Sequence, residues 1–307
     1  MKRITYCFFV LALAFIIAHA AQAQVLYGLV GDGPDSPSDL YIIDTDTGAA
    51  AFVGPTGFER CGGMDFDVQT ERLIAACQRN DGSDIGVLVE INPLTGQGTE
   101  IGPLGCDTST DISFRHSDNT LFGALSDDEL MGFCPNFGLA NINADTGNTS
   151  FLGALQPRIG CCGYGMAFSL SDTLFLGEDV ALYTVNQSDG SLTQLLNLTY
   201  LPPADNIPRT NAMDLNPATG VMFASVVEGG GQLGGRTNFL ATVNLNSGVV
   251  TVIGETQTGL DAIAFVGDVD LTRPIPALSE IGLITAALVL FAAAIFALRR
   301  RQRAYQS

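Results

Sequence analysis

The chain has 307 residues, 47% of them hydrophobic, and 32 acidic side chains face 14 basic ones, for a formal net charge of −18. That apolar fraction is ample for a packed core and excludes wholesale disorder. The acidic balance, with Lys2 the one lysine in the chain, excludes a phosphate-gripping nucleic-acid binder, which needs clustered Lys and Arg.

Residues 1–23 read as a secretory signal. Lys2 and Arg3 form the positive start, Tyr6 to Ala18 the apolar run, and Ala21-Gln22-Ala23 the small-residue cleavage site. The mature chain then begins at Gln24, and Cys7 and His19 fall in the discarded part. Eight arginines remain between this signal and a terminal basic cluster, so the body of the protein is strongly acidic. Such a surface favours solubility and repels anionic lipid and nucleic acid.

A phrase then repeats five times through residues 25–268. One part is a short apolar stretch ending in Asp or Asn four residues before Gly: Asp44/Gly48, Asn92/Gly96, Asn143/Gly147, Asn186/Gly190 and Asn244/Gly248. The Asx side chain bonds the turn backbone and Gly supplies the positive φ, so each is a hairpin. A second part is Gly63-Met-Asp-Phe66, Asp111-Ile-Ser-Phe114, Gly165-Met-Ala-Phe168, Ala212-Met-Asp-Leu215 and Ala262-Ile-Ala-Phe265. After the first four of these comes a third part, beginning at Leu73, Leu121, Leu174 and Val221. The fifth copy of it is missing after Phe265 and stands instead at Leu26-Tyr-Gly-Leu29. Four strands per unit, five units and a permuted first unit predict a closed ring. The unit length of ~47 residues suits a propeller blade. Residues 24–270 are therefore expected to form a five-bladed β-propeller whose N-terminal strands close the last blade, removing free sheet edges. The order of strands loosely resembles NHL- and YVTN-type propellers. On that analogy Met64, Ile112, Met166, Met213 and Ile263 lie on the innermost strands and pack between blades.

Strand order also decides which loops share a face. The long loops, 30–38, 78–85, 126–137, 199–210 and 227–237, fall together, while the opposite face has tight turns. Binding residues concentrate on irregular loops held by a rigid scaffold. The ligand-face candidates are Arg60, Arg79, Arg158, Arg209 and Arg236. The six mature cysteines lie on the same face, and their even number outside the cytoplasm predicts disulfides. The repeat alignment pairs Cys61 with Cys77 and Cys106 with Cys134. Cys161 and Cys162 remain, as a vicinal bridge or in another arrangement. No zinc site is expected, because the spacing lacks paired C-x-x-C motifs and no His is nearby.

Little catalytic chemistry is legible. His116 sits in a tight turn away from the long loops, and the Gly229–Gly235 run has no following helix to hold phosphate. Asp44 and Asp46 belong to a turn. The carboxylates Asp65, Asp111, Asp214 and Asp261 lie on or beside the innermost strands, where a central channel would gather them. They could do acid–base work, bind Ca²⁺ through oxygen ligands, or bond backbone amides. Flat aromatic sugar platforms are scarce in a chain without Trp.

At the far end, Ile281 to Leu298 is an 18-residue run without a charge, ~27 Å long as a helix and close to the hydrocarbon thickness of a membrane. Arg299, Arg300, Arg301 and Arg303 follow, which puts the 299–307 tail on the cytoplasmic side and the body outside. Ahead of this transmembrane helix, in the linker 271–280 and its junction, stands Ile275-Pro276-Ala277-Leu278-Ser279-Glu280-Ile281-Gly282. It resembles the bacterial IPTL-type C-terminal sorting signal, a relative of the PEP-type signals. Ile275, Pro276, Leu278 and Gly282 match that pattern; Ala277 and Ile281 replace its Thr and Trp. The resemblance implies recognition by an exosortase-like membrane protease. The combined expectation is an all-β, five-bladed propeller with one C-terminal transmembrane helix, serving outside the cytoplasm as a non-catalytic binding module without a cofactor. The alternative is an extracytoplasmic hydrolase using the channel carboxylates, with Ca²⁺ as a conceivable aid, and a third option is a structural envelope component.

Overall fold

The computed structural model describes residues 24–31, 37–83, 85–106, 108–126, 138–156, 164–204, 208–228 and 237–267. The export signal at 1–23, the sorting motif with Ile275, Pro276, Leu278 and Gly282, the apolar run 281–298 and the basic tail 299–307 lie outside the described residues. Among the described residues no helix is long and apolar enough to cross a membrane.

The chain opens with β1 (Val25–Val30), β2 (Asp39–Ile43) and β3 (Ala50–Pro55). Blade I follows as β4 (Phe58–Asp67), β5 (Arg72–Arg79), β6 (Gly86–Ile91) and β7 (Gly98–Pro103). Blade II is β8 (Thr108–Phe114), β9 (Leu121–Ser126), β10 (Gly138–Ile142) and β11 (Thr149–Gly153). Blade III is β12 (Gly165–Phe168), β13 (Leu174–Glu178), β14 (Ala181–Val185) and β15 (Leu192–Asn197). A two-residue β16 (Thr199–Tyr200) precedes blade IV, made of β17 (Arg209–Asn216), β18 (Val221–Glu228), β19 (Thr237–Val243) and β20 (Val249–Glu255). The last strand is β21 (Leu260–Val266). Five sheets result, each built on four antiparallel strands, and β21 joins β1, β2 and β3 as blade V. Its register runs from Val25 opposite Val266 to Val30 opposite Leu260, so the two ends of the described chain complete one sheet. The predicted five-bladed all-β ring and its strand-swapped closure are what the structure contains.

The turn chemistry follows the repeated Asx–Gly spacing. Asp44 Oδ1 accepts the amides of Asp46 and Thr47, and Asn92 and Asn244 each accept two amides in the same way. The glycine ending each turn has φ between 73° and 78°, which a Cβ would strain. In every blade the register between third and fourth strands slips once, at Leu40/Tyr41, Leu88/Val89, Leu139/Ala140, Leu182/Tyr183 and Leu240/Ala241. This bulge increases the twist of the outer strand.

The core lies between blades rather than inside any one of them. Ile74, Leu88 and Leu104 of blade I pack with Ile112 and Phe114 of blade II. Phe122 and Leu139 of blade II pack with Met166 and Phe168 of blade III, the two rings meeting edge to face at 5.3 Å. Met213 of blade IV meets Phe175 and Leu182 of blade III, and Ile263 and Phe265 of blade V meet Ala212 and Phe223 of blade IV. Met64 is buried as well. The inner-strand Met and Ile residues therefore have the packing role expected of them.

One segment departs from expectation. Residues 199–210 read as a long loop, but Thr199 and Tyr200 form β16, parallel to the outer strand β20. The physical reason is a free sheet edge. Connecting segments bond the next blade's outermost strand elsewhere too, as in Gly98 N donating to Thr56 O and Leu192 N to Gln156 O. At β20 this augmentation grows into a strand.

Candidate functional site

The inner strands β4, β8, β12, β17 and β21 run from the long-loop face to the tight-turn face and leave one edge toward the axis. Inward N–H groups on that edge have no strand partner, and leaving one buried and unbonded costs roughly 1–3 kcal/mol. At one level of the ring these donors belong to Phe66, Phe114, Phe168, Leu215 and Phe265. Three side chains take all five. Asp65 accepts its own neighbour Phe66 N at 2.6 Å and, across the blade boundary, Phe114 N at 2.5 Å. Ser113 Oγ accepts Phe168 N at 3.3 Å. Asp214 accepts Leu215 N at 2.7 Å and Phe265 N at 2.5 Å. Blades III and V carry Ala167 and Ala264 at this position, and their neighbours do the work.

Two residues nearer the long loops, Asp111 repeats the arrangement. It accepts Ile112 N at 2.9 Å and Met166 N at 2.7 Å, with a weaker contact from Met213 N at 3.5 Å, and so touches three inner strands. The other residues of that ring are Gly63, Gly165, Ala212 and Ala262, and all five are buried. A Cβ at Gly63 would overlap the Asp111 main chain. Asp65 and Asp214, two residues further toward the tight-turn end of their strands, keep partial exposure.

Burial shifts the titration of these groups. Removal from water pushes Asp65 up to about 6, against the opposing pull of the amide bonds. Asp111 is raised well above the usual carboxylate range, first by burial and lastly by the charge of Asp65. Asp214 is raised well above it by burial and by Asp65. The fourth predicted carboxylate stands apart from this set: Asp261, one residue before Ala262 in β21, accepts Asn211 Nδ2. Among the described residues no three His, Cys, Asp or Glu side chains gather as metal ligands. The oxygens of Asp65 and Asp214 are engaged by amides, which fits the backbone-bonding reading better than the Ca²⁺ one.

On the long-loop side, β4 bulges between Glu59 and Gly63, with Arg60 at φ 46°. The bulge turns Cys61 toward Cys77, and these two form the expected disulfide. Cys61 N also donates to Ser38 Oγ at 3.1 Å, tying the bulge to blade V. Cys106 is disulfide-bonded, its partner lying outside the described residues. Cys134, Cys161 and Cys162 lie outside them too, as do Arg158 and Arg236. Of the remaining candidate arginines, Arg79 is held by Glu100 through two bonds, Nε to Oε2 at 2.9 Å and Nη2 to Oε1 at 2.5 Å. Among the described residues Arg60 and Arg209 form no ion pair, and Arg209 Nε is buried without a hydrogen-bond partner. Each stands near the start of an inner strand.

Sequence reasoning missed a polar network on the opposite face. Arg72 bridges Asp67 in its own blade and Asp145 in blade II, at 3.4 and 2.8 Å. Arg115 holds Asp118, bonds Gln187 of blade III at 2.8 Å and lies over the Phe122 ring. Charges three to five residues apart around a turn were the one available signal.

No protein-family model matches the chain, and no curated protein matches it. Among solved structures, a GH43 glycoside hydrolase engineered for endo-xylanase and exo-arabinofuranosidase activity is similar at 10% identity and TM-score 0.52, over 83% of this chain and 55% of that one. An exo-beta-1,3-galactanase from Phanerochaete chrysosporium is similar at 15% identity and TM-score 0.50, over 75% of this chain and 60% of that one. A chain of a nidogen/laminin complex aligns at 10% identity and TM-score 0.47, over 80% of this chain and 98% of that one. At these identities the likeness is one of fold.

Proposed function

We propose that the protein is an exported, membrane-held binding module that takes an anionic group of its ligand on the long-loop face. The carrying observation is that, among the described residues, Arg60 and Arg209 have no carboxylate partner on that face of an acidic protein, whereas Arg72, Arg79 and Arg115 are all engaged by carboxylates. A guanidinium without a partner is a ready clamp for carboxylate or phosphate. The sequence signals at both ends support export through residues 1–23, retention by the 281–298 segment and handling by an exosortase-like protease. Cell fractionation with intact-mass measurement of both termini tests that address.

A second reading, an extracytoplasmic hydrolase, has its own support. Asp65 and Asp214 are partly exposed and held toward protonation, as a general acid needs to be. Two of the similar solved structures are glycoside hydrolases. One experiment separates the readings: the full-length protein is assayed against uronic-acid oligosaccharides for both binding and cleavage. The first reading expects binding without cleavage, weakened about tenfold or more in Arg60→Glu/Arg209→Glu and kept in Asp65→Asn, in line with ~1.5–3 kcal/mol for a charge-assisted bond. Cleavage that vanishes in folded Asp65→Asn would transfer the assignment to the hydrolase.

A further inference from the structure

We infer that Asn211 and Asp261 read hydroxyl groups of the ligand, so that the long-loop face takes a hydroxylated carboxylate, such as a sugar acid, in preference to a bare anion. This rests on the anion-binding reading of Arg60 and Arg209 given above and adds the second half of the recognition.

The geometry begins with a repeated bulge. Among the described residues, four of the five inner strands hold extra residues at one height, immediately on the long-loop side of Gly63, Asp111, Ala212 and Ala262. In blade I, Arg60, Cys61 and Gly62 stand opposite Cys77 alone, and in blades II, IV and V the extra residues are Thr110, Asn211 and Asp261. Bulges re-aim side chains and recur beside functional sites. Two of these extra residues meet, because Asn211 Nδ2 donates to Asp261 Oδ1 across the boundary between blades IV and V. On its other side Asp261 borders blade I: a Cβ on Gly31 would overlap both Asp261 Oδ2 and the Cys61 carbonyl oxygen. The pair therefore lies between the strand that carries Arg209, two residues before Asn211, and the strand that carries Arg60, one residue before Cys61.

A buried polar network fixes the pair in place. Leu260 O, next to Asp261 in the chain, accepts Asn211 Nδ2 at 3.4 Å, Ser225 Oγ at 2.7 Å and Asn238 Nδ2 at 3.3 Å. Asn238 Oδ1 in turn accepts Gly259 N at 2.9 Å, and Ser225 and Asn238 are both buried. A satisfied network of this kind holds its members rigidly. It also commits the donor end of Asn211. Among the described residues both side-chain bonds of Asn211 use Nδ2, and this residue, 6% exposed, has its Oδ1 left to offer. Asp261 is half-buried and brings a carboxylate beside it. Acceptors thus stand between two strands that each present a guanidinium. A carboxylate here repels the anion that the arginines attract, so its counterpart on the ligand is a donor. Hydroxyls close to a carboxylate provide that donor without adding charge.

The test is isothermal titration calorimetry on the full-length protein in neutral detergent, with digalacturonate and with adipate, a dicarboxylate that has no hydroxyls. The wild type should bind digalacturonate about tenfold or more tighter than adipate, as expected when a hydroxyl meets a charged acceptor. In Asp261→Asn this preference should shrink severalfold while adipate binding holds or rises, whereas Arg60→Glu/Arg209→Glu should weaken both probes. Thermal melts of each variant separate lost recognition from lost fold, and the wild-type comparison needs no variant. Equal wild-type affinity for the two probes, or an undiminished preference in folded Asp261→Asn, would overturn the hydroxyl reading and leave the arginine clamp standing. Tighter binding of glutamate than of digalacturonate would also overturn it, by assigning the acceptors to an ammonium group. A wild type that binds neither digalacturonate nor adipate would overturn the clamp and this inference together.

Discussion

At the scale of single residues, the inner strands solve a hydrogen-bonding problem with unequal partners. Asp65 and Asp214 each serve two amides, Ser113 serves one, and Ala167 and Ala264 serve none. The costs of truncation should scale accordingly. Asp65→Ala orphans the amides of Phe66 and Phe114 and is expected to lower unfolding free energy by about 2–5 kcal/mol, measured by urea denaturation. Ser113→Ala orphans one and should cost about half as much. Equal losses for the two would show that the amide count does not govern this ring. The repeat aligned Asp65 with Asp214 and set Asp111 in register with Gly63, but the sequence named the carboxylates together without assigning each a height on the axis. In the repeat Asp111 sits with Gly63 and Gly165, two residues before Asp65. The residue that shares the level of Asp65 is Ser113, whose hydroxyl gave no chemical signal. Height along a strand decides which amides a carboxylate meets, and residue type alone does not carry it.

At the scale of elements, blade-to-blade contact is set by glycines on the outer strands. Gly54, Gly102, Gly153 and Gly254 close the fourth strands, and each presses on the hairpin turn of the next blade. A Cβ at Gly153 would overlap the carbonyl oxygen of Asp189 at the turn that ends in Gly190. Because that neighbour is backbone, relief requires moving a whole turn. Gly153→Ala is therefore expected to destabilise by about 1–3 kcal/mol, like other overpacking changes, with chemical denaturation as the measurement. Val53→Ala, half-buried beside Gly54, should stay nearer 1 kcal/mol. These turns were the most legible elements, since the Asx–Gly spacing specifies them locally. The short β16 was not legible, because its two residues form a strand only through the edge of β20 supplied by a distant part of the chain.

At the scale of the whole molecule, the ring is closed by hydrogen bonds and packing rather than by chain connectivity. Blade V takes β21 from one end of the described chain and β1 to β3 from the other, so every blade has neighbours on both sides. The sequence revealed this through a missing fifth copy after Phe265 and a displaced one at Leu26. Closure predicts how the protein opens. If β1 and β21 could part while the other blades stayed folded, their amides would exchange with solvent at a lower free energy than those of β9 and β10. Parting them, however, exposes Leu26, Ile263 and Phe265 together with the blade IV side chains Ala212, Phe223 and Leu240 that pack on them. On the other side of that ladder the amide of Phe265 is held by Asp214, which ties β21 to blade IV. Hydrogen exchange along the β1–β21 ladder should therefore match global unfolding. Ile263→Ala, at the centre of that contact and fully buried, should lower stability by about 2–5 kcal/mol while unfolding remains a single transition. Fast, separate exchange of β1, or a two-step melt in Ile263→Ala, would mean that the seam is an ordinary fraying end and that the ring holds without it.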